Sequence, residues 1–270
     1  MSDAVARWAD LKTTDFPISD PARTIALLPV GAVEQHGPHL PLGTDSLILE
    51  AVIERMAAAH PPAGARLLVL PLQQVGDSLE HGDFPGTLTH DAETLIAAWT
   101  ALCEKAVDAG ARKIAIVNSH GGQPQIVDIV AQRLRARRRV LAARINSYRF
   151  KAPEGLFATD ELAFGYHGGE METSLMLAIR PDLVAMDKAA DFDTLARRMA
   201  RTNARFHAEG AAGFAWAAQD LNEAGAMGNA ADADAGRGAA TLDHMARALS
   251  DALQEVAAFP LDALKAGPAS

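Results

Sequence analysis

Four side chains in one short stretch, Glu34, His36, His39 and Asp45, have the chemistry to hold a transition-metal ion. They belong to the segment GAVEQHGPHLPLGTD, whose glycines and prolines rule out a continuous helix or central strand. Carboxylate oxygen with imidazole nitrogen suits Zn, Mn or Fe in the divalent state. Glu34 and His36 are two apart, so an extended backbone turns both side chains to one side. Asp45 precedes a helical pattern and reads equally well as an ordinary helix cap. A histidine on its own is more often packed or solvated than metal-bound, so the case depends on company.

Two later segments supply it. Asn118-Ser-His-Gly-Gly-Gln123 sets His120 beside two glycines, where backbone can approach a ligand closely. A glycine turn leading into a helix also suits phosphate, although the spacing is neither that of a P-loop nor of a dinucleotide fingerprint. Tyr166-His-Gly-Gly-Glu170 opens another helical pattern, with His167 three residues ahead of Glu170. Glu170 falls in a first helical turn, where a carboxylate suits the helix dipole even without a metal. His39 and His81 also lie in irregular segments that follow strands, Gly31–Asp45 and Gln73–His90. The segment Phe84-Pro-Gly-Thr87 reads as a turn that shapes the pocket.

Bringing three distant segments together requires a scaffold that ends its strands on one side. Four apolar runs, Thr24–Val30, Arg66–Leu72, Arg112–Asn118 and Val140–Asn146, read as strands covered on both faces, as in a parallel sheet. Helical patterns occupy Ser46–Ala59, Asp91–Ala109, Gln123–Arg137, Glu170–Ile179, Asp191–Glu209 and Gly238–Ala257. Strand and helix in alternation predict βαβ units and a three-layer α/β/α fold with a mainly parallel sheet, as one domain over residues 1–270. The irregular segments Gly31–Asp45 and Gln73–His90 follow strands directly, and Lys151–Gly169 follows the last one closely. Loops at the carboxyl ends of parallel strands form the ligand crevice.

Composition narrows the setting. The formal net charge is −9, which argues against nucleic acid as a partner. The basic run Arg133 to Arg139 closes a helical stretch and complements its dipole. The single cysteine, Cys103, lies in an apolar helical pattern and reads as a buried thiol in a reducing compartment. Met1 to Phe16 lacks the form of a signal peptide, and no apolar run reaches the roughly 18 residues of a membrane span. The expectation is a cytoplasmic enzyme with a small-molecule substrate and no membrane partner.

The strings LPVGAVEQHGPHLPLGTD, HGDFPGT, NSHGG and HGGEMETSLMLAIRPDLV, in this order across roughly residues 27–184, resemble the successive signatures of the creatininase (creatinine amidohydrolase) family. A looser likeness continues through Trp216, Asp220, Gly225 and Gly228. The resemblance implies an α/β/α domain with two divalent metal ions at the carboxyl ends of the strands: zinc, with manganese or iron as alternatives. By position it makes Glu34, His36, Asp45 and His120 metal ligands, with Asp45 bridging. Creatininase itself carries a ligand glutamate where this chain has Gly122. Other members have glycine there and a glutamate in a later motif, which corresponds to Glu170, so the resemblance assigns the fifth ligand to Glu170. It also makes His167 the catalytic general acid for the leaving nitrogen. The glutamate before that histidine in creatininase is Tyr166 here, so a proton relay through it cannot operate unchanged.

The implied reaction is hydrolysis of a carbon–nitrogen bond, other than a peptide bond, in a small cyclic or linear amide by a metal-activated water. Creatinine itself is not the expected substrate. The two tryptophans that creatininase closes over its ring are replaced by Arg149 and Ala163, and no Trp lies between Trp99 and Trp216. Arg149 is a candidate substrate-binding residue for a carboxylate or phosphate, with a surface ion pair as the plainer alternative. Relatives that trim a modified peptide or hydrolyse a cyclic sugar ketone supply alternative activities. A metal- or phosphate-binding protein without catalysis is the non-enzyme alternative. The resemblance also implies a homohexamer.

Overall fold

Val, Ile and Leu dominate the apolar runs, and both faces of each run find helices to pack against. The computed structural model describes residues 4–150 and 152–265. Its main sheet contains β1 (Val5–Arg7), β2 (Thr24–Val30), β3 (Arg66–Val69), β4 (Lys113–Asn118) and β5 (Leu141–Asn146), in the order β1-β3-β2-β4-β5. Every pairing is parallel. The edge strand β1 has three residues, too few to show a period. The expected α/β fold with a parallel sheet is thus the observed one.

Alternation along the strands sorts the core into two layers. Ile25, Leu27, Leu67, Val69, Ala115 and Val117 pack on one face with α1 (Thr44–Ala59) and two later helices. Ala26, Leu28, Val30, Ile114 and Ile116 pack on the other against α2 (Ala92–Asp108) and α3 (Pro124–Arg138). Cys103 lies within this second layer, and burial pushes its thiol up to about 12. A short α4 (Thr159–Phe164) interrupts the segment expected to be irregular, of which Lys151 lies outside the described residues. Then follows α5 (Glu170–Ile179), with the bounds the pattern predicts.

The expected helix Asp191–Glu209 is mostly not one. Asp191–Phe192 forms β6, and only α6 (Leu195–Thr202) is helical, its start capped by the Thr194 hydroxyl accepting from Ala196 N at 3.2 Å. After α7 (Ala218–Leu221), β7 (Gly228–Asn229) pairs antiparallel with β6, a partner distant in sequence and invisible to any local pattern. The chain closes with α8 (Ala235–Ala258), which packs on α5 so closely that a Cβ on Gly238 would overlap the Ser174 carbonyl. Among the described residues no helix is long and apolar enough to cross a membrane.

This strand order makes the site. From β2 the chain steps outward to β3, then crosses back over β2 to β4. The segments leaving β2 and β4 lead to helices in opposite layers, so a crevice opens between them at the carboxyl ends.

Candidate metal centre

Three connections and two helix starts meet in that crevice. The segment after β2 carries Glu34 and His36, and α1 begins at Thr44, so Asp45 lies in its first turn and not before it. The connection after β3 makes a single 3-10 turn at Leu79–His81 and contributes His81. His120 follows β4 by two residues. His167 and Glu172 come from the start of α5 and the residues before it. Glu34, His36, Asp45, His81, His120 and His167 are all buried.

Ring nitrogens show how the imidazoles are set. His36 donates its Nδ1–H to the Glu34 carbonyl at 3.0 Å, and His120 donates its Nε2–H to the Asp77 carbonyl at 2.7 Å. His167 donates its Nε2–H to the Gln35 carbonyl at 2.5 Å. Backbone carbonyls only accept, so each ring's second nitrogen keeps a lone pair directed into the crevice. Those lone pairs meet carboxylates. His120 Nδ1 is 3.3 Å from Glu34 Oε1 and 3.5 Å from Asp45 Oδ2, while His167 Nδ1 is 3.6 Å from Glu34 Oε1. His36 Nε2 is 3.9 Å from Asp45 Oδ1.

Lone pairs facing carboxylates in a buried space repel unless protons or cations lie between them. Glu34 Oε2, His36 Nε2 and Asp45 Oδ2 are buried with no hydrogen-bond partner among the described residues. Ligand atoms of Glu34, Asp45 and His120 lie within 4.8 Å of one another, as do those of His36, Asp45 and Glu172, and those of Glu34, His36 and His167. The first two groups share Asp45. Nitrogen and oxygen donors, each imidazole braced by a backbone carbonyl, fit divalent transition metals.

Without cations, protons take their place. Burial alone would lower His36, but the neighbouring Asp45 carboxylate, with Glu172 and Glu34, raises it to about 9. His120 likewise overcomes burial through Glu34 and Asp45 and is raised. Burial of Asp45 is outweighed by His120 and His36, which hold its carboxyl below the usual range. Glu172 is pushed up to about 7 by burial, with Asp45 and Glu34 adding to it. His167 moves the other way: burial, then His36 and His81, lower it well below its ordinary value.

Of the five residues expected as ligands, Glu34, His36, Asp45 and His120 come together and Glu170 does not. Its carboxylate is 2.7 Å from the Arg237 guanidinium, on the side of Glu161. Glu172 reaches the cluster instead and accepts a hydrogen bond from Gly168 N at 2.7 Å. Two residues along a helix turn a side chain by about 200°, so the two glutamates must face opposite ways. Gly122 is also explained, because a Cβ there would overlap the Glu80 carboxylate beside His120. Arg149 is exposed just beyond β5, its guanidinium carbon 6.0 Å from the Tyr148 ring centre, and Ala163 is exposed on α4. His39 bonds Thr173 Oγ1 at 2.9 Å and stacks on Phe192, outside the three ligand groups. His81 joins the cluster with only its place in a crevice loop as a signal.

The two glutamates give a direct contrast. Glu172→Gln is expected to weaken zinc binding by at least about 100-fold, the upper end of what is lost on disturbing a group that merely supports a ligand. Glu170→Gln, which disturbs only the Arg237 pair, leaves zinc content unchanged. Metal analysis of both purified variants against wild type decides it, and equal zinc in all three would remove Glu172 from the centre.

Comparison with known proteins follows the same lines. A family model described as creatinine amidohydrolase matches residues 9–253. The creatinine amidohydrolase of Pseudomonas putida is 33% identical over 187 residues, 62% of this chain and 68% of that protein. The mycofactocin precursor peptide peptidase of Mycolicibacterium smegmatis is 30% identical over 238 residues, covering 85% of this chain and 84% of the relative. Among solved structures, a glutamate-to-glutamine mutant creatininase described as Zn–Zn type superposes with a TM-score of 0.72 at 28% identity, over 94% of this chain and 98% of the other.

Proposed function

The chain belongs to the creatininase family, and from that premise we propose that it is a two-metal amidohydrolase acting on a carbon–nitrogen bond of an amide other than creatinine. One observation carries the reading. Two braced imidazoles, His36 and His120, and three carboxylates converge in a buried crevice as two ligand groups sharing Asp45, with His167 beside them and orphaned atoms on Glu34, His36 and Asp45. Three carboxylates are a charge that two divalent cations balance to within one unit. The Zn–Zn relative supports zinc first, with manganese or iron as alternatives.

Divalent ions held by Glu34, His36, Asp45, His120 and Glu172 would supply Lewis acidity and make water a nucleophile near neutral pH. The protein's own contribution is proton handling. His167 is neutral near pH 7 because burial and two neighbouring imidazoles keep it so. Its free Nδ1 faces the cluster, so it first takes a proton from the attacking water and then gives it to the leaving nitrogen. Tyr166 cannot stand in for a carboxylate in this relay: burial raises its phenol further above its ordinary value.

Against creatinine stand the exposed Arg149 and Ala163, where creatininase has its two tryptophans. Phe84, Phe164, Tyr166 and Trp216 instead pack, partly buried, on a small core that includes Met227, the bridge partner of His167. A second reading, processing of a peptide, is favoured by the peptidase relative, whose likeness spans more of the chain than the creatinine amidohydrolase does. In either case Arg149 is the residue we assign to an anionic group of the substrate. A homohexamer, carried over from the family, and the cytoplasmic setting expected from the sequence are parts of the same proposal.

Metal analysis of the purified protein, then a hydrolysis screen over lactams, cyclic imides, formamides and short peptides, tests the reading. We expect turnover in at least one class that His120→Ala abolishes, and a raised KM for anionic substrates in Arg149→Ala. Metal binding without hydrolysis of any class would leave a metal-binding protein. Undiminished turnover in His120→Ala would refute the mechanism.

A further inference from the structure

Four imidazoles line the cluster, but only His36, His120 and His167 give an N–H to a backbone carbonyl. The fourth, His81, faces the side chain of Gln35, a buried carboxamide that the mechanism has not used. We propose that Gln35 is a positioning residue that locks His81 and His167 in opposite tautomers, making His81 the imidazole that presents an N–H to the Glu34 carboxylate.

The orientation of the Gln35 amide follows from backbone groups. Its Oε1 accepts from Gly37 N at 2.9 Å, and its Nε2 donates to Gly225 O at 2.9 Å. A backbone N–H only donates and a carbonyl only accepts, so oxygen and nitrogen of the amide are distinguished without appeal to the rings. One amide hydrogen remains. His81 Nδ1 lies 2.7 Å from Nε2 and must accept it. The ring proton of neutral His81 is therefore on Nε2, which lies 3.5 Å from Glu34 Oε1. His167 Nε2, 3.3 Å from the same amide nitrogen, finds no hydrogen left there and donates to the Gln35 carbonyl instead.

The two rings stack with centres 4.2 Å apart, so a hydrogen-bond donor and a base stand side by side over one carboxylate. An N–H facing Glu34 Oε1 favours the ionised carboxylate and leaves the orphaned Oε2 for a cation. The lock reaches further back. Met227 N donates to the His167 carbonyl at 2.8 Å, so the bridge residue Met227, just before β7, and the Gly225 turn hold both rings through the backbone. Gly225 has φ +77°, and a Cβ there would overlap the Gln35 amide.

The significance for metal binding rests on the proposed function, whereas the tautomer assignment can be read without turnover. Histidine-selective 15N NMR on the zinc-loaded full chain, and again after chelation, reports which ring nitrogen carries the proton. The His81 signal is identified by its loss in His81→Gln. We expect Nε2–H on His81 in both forms of the wild type. Gln35→Glu offers His81 no donor, so its proton moves to Nδ1, and zinc affinity falls about 10–100-fold, as for loss of a group that orients a ligand. Gly225→Ala, which pushes the amide away without touching any ligand, produces the same tautomer change. An Nδ1–H on wild-type His81, or an unaltered His81 tautomer in whichever of the two variants folds, overturns the proposal. Failure of every amide substrate would instead bear on the proposed function, since the tautomer is read on the resting protein.

Discussion

Asp45→Asn is expected to lower kcat/KM by about 10³-fold, because the centre loses the carboxylate that joins the Glu34–Asp45–His120 group to the His36–Asp45–Glu172 group. Asp45 sits in the first turn of α1, with Oδ2 3.5 Å from His120 Nδ1 and Oδ1 3.9 Å from His36 Nε2. Asparagine keeps the shape and removes the charge. Lewis-acid stabilisation is worth several kcal/mol, and at about 1.4 kcal/mol per tenfold a loss near 4 kcal/mol gives that factor. The variant should also retain less than one full complement of metal. The check is kcat/KM on the best amide from the screen, alongside metal analysis and a melting curve showing a folded protein. Full activity with normal metal content would sink the bridging assignment.

The second large effect is the pH dependence of metal binding. His36, raised to about 9, and the raised His120 carry protons near pH 7 in the metal-free protein, and Glu172, at about 7, carries a fraction of one. A cation must displace them. Zinc affinity should therefore rise by about 100-fold per pH unit near pH 7, tenfold for each of about two protons released. The same groups act on stability. His36 is raised above its ordinary 6.5, so its contribution is complete below pH 6.5 and disappears as pH passes about 9. Glu172 is raised above 4.5, so its contribution is complete below pH 4.5 and disappears through about 7. His81, lowered to about 4, and the lowered His167 act in the opposite sense, but below pH 6.5. Between pH 6.5 and 9 the metal-free protein should lose thermal stability while the zinc-loaded protein does not. Melting curves with and without chelator across that window test this, and calorimetry in buffers of different ionisation enthalpy counts the protons. Parallel melting curves and no proton release would show that the cluster does not bind metal through these groups.

Glu172 and His81 show where local reading stops. Glu170 and Glu172 stand in one string, HGGEMETS, and both fall in the first turn of α5. Choosing between them needs the rotation of α5 about its axis, which is set by its packing on α8 at the close approach of Gly238 to Ser174. The motif points to Glu170 whereas the rotation of α5 sets Glu172 among the cluster, since a motif carries spacing but not rotation. His81 lay in a loop with nothing nearby to single it out. Its partners, Glu34, Gln35 and His167, come from other parts of the chain.

Residue order by itself determined the strand runs, the parallel α/β fold, the family likeness and the meeting of Glu34, His36, Asp45 and His120. Each of those four lies a few residues from the end of β2 or β4 or in the first turn of α1, so short-range geometry carries it to the crevice once the strands pair. Tertiary structure alone decided which glutamate of α5 enters, that His81 joins, that Glu80 fills the space beside Gly122, and that β6 meets β7 in place of an expected helix. The physical reason is common to all four. Apolar periodicity reports which face of an element is buried, whereas the partner of a buried polar atom depends on where a distant segment comes to rest.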